Sequence, residues 1–173
     1  MLRTPCLTMR PLASVDAEAL FAVYGDPEVM RFSVAGAHRS RADTLGWLRD
    51  PIEHQANHGF STWAVRLSDD GEPIGTCGLE FLPDGRVEIG YRLRHDQWRK
   101  GYATEAAWAW LDHGFSKLGL GQIVAMIEEA NRPSIRVAEK IGMRAGAPEI
   151  IHGIPVIVHF AQRSTPIRPL PRR

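Results

Sequence analysis

One stretch limits the possible folds more than any other. Arg86-Val-Glu-Ile-Gly-Tyr-Arg-Leu93 is followed almost at once by Gln97-Trp-Arg-Lys-Gly-Tyr-Ala-Thr-Glu-Ala106. In the first segment Val87, Ile89, Tyr91 and Leu93 share one face while Glu88, Gly90 and Arg92 share the other, the period-two pattern of a strand. After Trp98 the spacing changes to three and four, through Ala103, Ala107, Trp110 or Leu111, Phe115 and Leu118, and stops at Gly119. That pattern predicts a helix from Tyr102 to Leu118. The first N–H groups of a helix lack intrahelical partners and lie at the positive end of its dipole, so the turn between the two elements is an anion site in outline. Gly101 and Ala103 keep the approach open, Arg99 and Lys100 add two cations, and Thr104 adds a hydroxyl, a set that suits a diphosphate. Alone, a basic, glycine-containing helix start is as often an ordinary solvated cap.

A second strand-to-helix junction lies downstream. Ile123 to Ile127 is an apolar run of the kind buried on both faces. It leads into Glu128-Glu-Ala-Asn-Arg-Pro-Ser-Ile-Arg-Val-Ala-Glu-Lys-Ile-Gly-Met143. Taken together, Glu88 to Tyr91, Trp98 to Ala106 and Asn131 to Met143 resemble the E-x-G-Y, W-G-K-G-Y-A-T-E-A and N-x-x-S-x-x-V/L-x-E-K-x-G-F/M segments of the GNAT N-acetyltransferases. The match is to the branch of the ribosomal-protein alanine acetyltransferases RimJ and RimL. Met9 to Leu12, Asp16-Ala17, Leu20-Phe21 and Asp26 to Arg31 resemble the opening of the same branch, so the likeness reaches to about Gln162. Two departures stand out. Arg99 occupies a position where glycine is usual, and Ala138 stands where many relatives carry a tyrosine that protonates the departing thiolate.

The resemblance implies an α+β fold of the acyl-CoA N-acyltransferase type. Its mixed, mostly antiparallel sheet has a splayed central parallel pair and flanking helices in a three-layer arrangement. It implies acetyl-CoA as co-substrate, with the pantetheine arm between the strands Arg86 to Leu93 and Gln122 to Glu128, and Gly90 as the place for a bulge. The backbone of Tyr91, Arg92 and Leu93 would then pair with the pantetheine amides as an added strand does, and Arg99, Lys100, Gly101, Tyr102, Ala103 and Thr104 would hold the phosphates. Asn131 would order the cofactor arm or a water, or simply form a turn. Ser134 would hold the cofactor or replace the missing tyrosine as proton donor, or serve only as a first-turn residue. A backbone N–H near Tyr91 would polarise the carbonyl. For the base that neutralises the ammonium nucleophile, Glu88 is the first candidate, with Glu80 and His152 as alternatives; burial beside the gap would raise a carboxyl toward neutrality and fit it for the task.

The expected activity is transfer of an acetyl group to a primary amine, on a peptide or a small molecule, by direct attack in a ternary complex. The alternative is a domain that senses acyl-CoA without turnover. Glu28, Arg31, His38 and Arg41 are candidates for the acceptor side. The chain is expected to act as a monomer or a homodimer.

Composition bounds the rest. With 173 residues, 44% apolar and 24% charged, the chain has the size and balance of one globular domain, assigned to residues 1–162 with a Pro/Arg-rich tail at 163–173. A net charge of +1 gives no reason to expect nucleic acid. Cys6 and Cys77 are too few for a disulfide framework, and no charged-then-apolar leader opens the sequence, so a cytoplasmic protein is expected. No apolar run approaches the roughly 20 residues of a membrane span. The seven histidines form no metal-binding spacing, so no metal is expected, and G-x-S-x-G, P-loop and dinucleotide signatures are absent. The five tryptophans read as core rather than as a stacking platform.

The remaining elements follow from local signals. A strand is expected near Leu7 to Arg10, a helix from Val15 to Tyr24 capped by Ser14, and a helical turn at Asp26-Pro27. Another helix runs from a Ser40 cap toward His54. Strands around Trp63 to Leu67 and Ile74 to Leu82, with turns at Asp69 to Gly71 and Pro83 to Gly85, predict an antiparallel meander ending in Arg86 to Leu93. A crossover helix returns the chain to a parallel strand at Gln122 to Glu128. A helix from Pro133 to Ile141 and a hairpin of Met143 to Ile150 with Pro155 to Gln162, turning at Gly153-Ile-Pro155, complete the chain.

Overall fold

Alternating apolar residues on the meander strands leave one face of a sheet in need of cover, and the helix Tyr102–Ser116 supplies it. The computed structural model describes residues 1–67 and 71–164. The turn expected at Asp69 and Asp70 and the tail prolines Pro166, Pro169 and Pro171 lie outside them. Within the described residues the strands are β1 (Leu2–Arg3), β2 (Thr8–Pro11), β3 (Thr62–Arg66), β4 (Gly75–Phe81), β5 (Val87–Leu93), β6 (Gln122–Glu128), β7 (Arg144–Ile151) and β8 (Ile154–Gln162). The helices are α1 (Ala17–Tyr24), α2 (Arg41–Trp47), α3 (Arg49–His58), α4 (Tyr102–Ser116) and α5 (Arg132–Lys140). The strands form one sheet in the order β1-β2-β3-β4-β5-β6-β8-β7. All neighbours run antiparallel except β5 and β6, which the α4 crossover makes parallel.

Two cores lie on opposite faces of the sheet. The larger joins Val65, Leu79, Val87, Ile89, Leu93, Ile123 and Ala125 to Ala106, Ala107, Trp110, Leu111 and Phe115 of α4 and Ile135 and Ala138 of α5. Ala106 and Ala107 bring α4 close to the sheet, and Trp110 meets Trp63 edge-on with ring centroids 4.9 Å apart. The smaller core packs Leu20, Val23 and Tyr24 of α1 with Leu48 against Ala64. Successive residues of β3 therefore serve different cores. Period two gave the direction of each side chain, and tertiary packing turned the second face from solvated to buried.

Local expectations were corrected at four points. The helix begun at Ser40 stops at Trp47 and restarts as α3 after Leu48, because Pro51 has no N–H to give Trp47 and its ring crowds that carbonyl. Ser14 makes no side-chain cap. The carboxylate of Asp16 instead accepts from Ala13 N–H at 2.9 Å and pairs bidentately with Arg10. The last hairpin turns on His152 and Gly153, at φ 50° and 79°, the paired left-handed residues of a two-residue loop matched to strand twist; Ile154 and Pro155 already belong to β8. Finally, Gly90 carries no bulge, since β4 and β5 stay in register from Gly75↔Leu93 to Phe81↔Val87. Beyond the last strand, Arg163 N–H donates to Gly121 C=O at 3.0 Å.

Candidate active site

The two edges of β5 differ in one respect that creates the site. Against β4 the ladder is continuous over seven pairs, whereas against β6 there is a single pair, Glu88↔Val124. The phase of the β4 ladder is fixed at both ends, by Leu82 N–H donating to Arg86 C=O at 2.8 Å and Arg94 N–H to Ile74 C=O at 2.9 Å. Hydrogen-bonded pairs in an antiparallel ladder recur at every second residue. The peptide groups of Glu88, Gly90 and Arg92 are thereby committed to β4, and those of Ile89, Tyr91 and Leu93 face the gap toward β6. This corrects the expectation for Arg92, whose backbone is turned away from the gap.

The gap opens into a cleft of about 1320 Å³. Glu88, the first candidate for the base, lines it, as does every cofactor candidate read from the sequence: Tyr91, Arg92, Leu93, Arg99, Lys100, Gly101, Tyr102, Ala103, Thr104, Asn131 and Ser134. Met126 and Ile127 form the opposing wall, and Glu28, Arg31 and Phe32 form one end. Of the other acceptor-side candidates, His38 is stacked on Tyr24 at 5.1 Å, and Arg41 is engaged with Glu18 at 2.7 Å on the surface. Neither lines the cleft.

The anion pole is built from the turn before α4. Trp98 pins it to β5 by donating its indole N–H to Leu93 C=O at 2.8 Å. Gly101, at φ 84°, caps α4, a left-handed conformation that glycine adopts without steric cost. Arg99 is also left-handed, at φ 61°, which explains why glycine is usual there. A side chain in this region costs about 1–2 kcal/mol. Lys100 Nζ donates to Gln97 Oε1 at 3.0 Å. Arg136 and Lys140 of α5 also line the cleft. The sequence reading missed them, although their i, i+4 spacing on the polar face of an amphipathic helix was available as a signal. Arg99, Lys100, Arg136 and Lys140 thus line the same cleft as the start of α4.

Asn131 caps α5, its Oδ1 accepting from Ser134 N–H at 3.3 Å, so this side chain has a structural task at a helix start. Tyr91 Oη donates to Ser134 C=O at 2.8 Å, tying β5 to α5 across the gap. Burial pushes the Tyr91 phenol well above its ordinary range. Ala138 is fully buried, so its position offers the cleft no proton donor.

Glu88 stands where the two strands part. It belongs to the one β5–β6 pair, and its Oε1 accepts from Met126 N–H at 3.3 Å. Burial first, and Glu80 directly opposite on β4 as a lesser cause, push its carboxyl up to about 6, against the pull of the Met126 N–H and the positive charge of Arg92 and Arg86. Glu80 itself accepts from Ser61 Oγ at 3.1 Å and Thr62 N–H at 3.3 Å. His152 sits in the distal hairpin turn, and neither it nor Glu80 lines the cleft.

A forked parallel pair with a cation-ringed helix start at its mouth and a carboxyl at its apex defines the acyl-CoA-dependent acyltransferase class of fold and site. Residues 7–144 match the model of the GNAT acetyltransferase domain, and the chain belongs to that family as an N-acetyltransferase. It is 34% identical over 144 residues to the protein YkkB of Bacillus subtilis (strain 168), covering 81% of this chain and 83% of the relative. It is 33% identical over 150 residues to the N-acetyltransferase p20 of Bacillus licheniformis, covering 83% and 82%. The crystal structure of a GNAT-family acetyltransferase from Bacillus anthracis superposes with a TM-score of 0.81 at 25% identity, over 94% of this chain and 98% of that one.

The family uses acetyl-CoA, and the residues present fit it. A strand edge with peptide groups turned into a gap suits the amides of a pantetheine arm, and the four cations that line the cleft with the start of α4 suit phosphates. No helix among the described residues is long and apolar enough to cross a membrane.

Proposed function

We propose that this chain transfers the acetyl group of acetyl-CoA to a primary amine by direct attack in a ternary complex, with Glu88 as the base that takes the ammonium proton. The observation that carries this reading is the place of Glu88. It is a largely buried carboxyl at the apex of the gap, held near 6, where it is ionised at neutral pH yet basic enough to accept a proton directly or through a water.

Bound acetyl-CoA supplies an activated thioester. The peptide N–H of Tyr91, turned into the gap and fixed by the β4 ladder, donates to the thioester carbonyl oxygen as charge develops there. Arg99, Lys100, Arg136, Lys140 and the first N–H groups of α4 neutralise the phosphates. Asn131 orders the start of α5 and, through its free amide edge, the water or arm beside it. Ser134, which lines the cleft one turn from the buried Ala138, is the proton source for the leaving thiolate. The tie from Tyr91 to the Ser134 carbonyl sets the distance between the strand edge and that residue. The motif likeness supports reading the chain as kin to the ribosomal-protein alanine acetyltransferases, with the acceptor set by the residues over the other face of β5.

Purified protein incubated with acetyl-CoA and a broad panel of primary amines is expected to release free thiol and form an N-acetyl product. Tight CoA binding by calorimetry with no transfer to any amine would replace this reading with an acyl-CoA sensor.

A further inference from the structure

The same phase that turns the Arg92 backbone away from the gap sends its side chain to the face of α1, together with Glu88 and the vacant position of Gly90. We propose that Arg92 is the specificity-determining residue for the acceptor, and that the acceptor is a small primary amine carrying an anionic group, its amine at Glu88 and its anion at Arg92.

The Arg92 guanidinium lies over the Tyr24 ring at 5.4 Å from the centroid. That ring is held by contacts with Trp47 at 4.2 Å and His38 at 5.1 Å, two rings that themselves lie 6.3 Å apart, and by Tyr24 Oη hydrogen-bonded to Thr76 Oγ1 at 2.8 Å. A guanidinium on a locked aromatic platform is pre-oriented, so binding an anion immobilises few additional torsions. Among the described residues no carboxylate lies within ion-pair distance of Arg92. Its relation to Glu88 is a longer-range attraction that lowers the Glu88 carboxyl. The neighbouring charges Arg31 and Glu28 offset each other at 3.9 Å.

Between the two charged groups the strand is bare, since a side chain placed on Gly90 would meet nothing within 4 Å. Glu88, Gly90 and Arg92 thus read along one face as a proton acceptor, an open floor and a cation. Their outer Cα atoms lie about 13 Å apart at the strand rise of about 3.3 Å per residue, a span that the two long side chains shorten. The cofactor phosphates have their own cations at the start of α4 and on α5, so Arg92 is not needed there. A polycationic amine would set its positive charges against Arg92.

This inference rests on the N-acetyl transfer reading, and its test separates the two. ω-Amino acids of graded chain length and amines bearing a phosphate monoester are compared with the neutral amide or alcohol of the same length. Thiol release measures turnover, and calorimetry measures binding to the CoA-saturated protein. The wild type is expected to favour the anionic member of a pair by about ten-fold or more in kcat/KM and in affinity, the usual size of a charge-assisted hydrogen bond. Arg92→Met should erase the preference, chiefly through KM, and leave CoA affinity unchanged. Arg92→Lys should retain part of it. A wild type that treats acid and amide alike, or an Arg92→Met enzyme that keeps the preference, overturns the inference. An anion preference in binding with no turnover on any amine supports it and sinks the transfer reading alone.

Discussion

The two edges of β5 are made by one seven-residue strand, yet one edge pairs with β4 along its length and the other touches β6 once. Nothing in the composition of β6 forbids a full ladder, since Ile123, Val124, Ala125 and Ile127 are good strand residues. Pairing is withheld because β6 must follow β8, with which it is registered from Gln122↔Gln162 to Glu128↔Val156, while β5 follows β4. The lesson is that unsatisfied edge, normally a liability, becomes a binding surface when two ladders pull neighbouring strands apart and a tyrosine strut holds the opening.

The sharpest way to break the contrast is at its apex. Glu88→Gln should lower kcat/KM by about a hundred-fold or more, as expected for loss of a general base, with CoA affinity retained by calorimetry. In the wild type, activity should climb as pH rises through about 6, because the base is then ionised, and level off above neutrality. The stability effect has the opposite sign. A carboxyl raised by folding from 4.5 to about 6 favours the folded state below pH 4.5, and that contribution is lost as pH rises through 6. At pH 7 Glu88→Gln should therefore unfold at higher denaturant concentration than the wild type, by about 1–2 kcal/mol after allowance for partial solvent access.

Next in size is a pair of glycines facing each other across the β4–β5 ladder, Gly78↔Gly90. A Cβ on Gly78 would lie 2.2 Å from Ser61 O and 2.4 Å from Thr62 Cα, both backbone, whereas one on Gly90 meets nothing. Gly78→Ala should destabilise by about 2–3 kcal/mol in denaturant melts, as an overpacked site does. Gly90→Ala should leave stability within about 0.5 kcal/mol and raise the KM for the amine. Equal losses of stability would mean that the open floor is not open.

Smaller effects sharpen the picture of the opening itself. Tyr91→Phe removes the strut to Ser134 and should cost about 1 kcal/mol, with a several-fold rise in the KM for acetyl-CoA. Arg99→Gly sets two small terms against each other. Relief of the left-handed backbone should add about 1 kcal/mol of stability, while loss of one cation should weaken CoA binding by a few-fold and reduce its salt dependence.

Much of this was legible from the chain. The limits of β6 and the start of α4 follow from periodicity and from Gly101, and the facing of Val87, Ile89, Tyr91 and Leu93 follows from the pleat. The anion pole was half visible: Arg99 and Lys100 sit beside the glycine that marks the turn. Arg136 and Lys140 line the same cleft only because α5 packs alongside the gap. The helix break before Pro51 was readable in principle, since a proline lacks the N–H that the preceding turn needs. The role of Asp16 was not, because its partner Arg10 comes from a different element.

The sequence by itself determined which residues alternate, where the chain must turn left-handed and where a helix presents bare N–H groups, because these are properties of a few consecutive residues and their allowed torsions. Only the tertiary structure decided that the Arg92 side chain lies over Tyr24 of α1 while its peptide pairs with β4, that Glu88 rather than Glu80 lines the cleft, and that β5 and β6 part at all. Each of these depends on the phase of a ladder or the pull of a distant strand, and a hydrogen-bond phase is fixed by the neighbour that forms it, not by the residues that carry it.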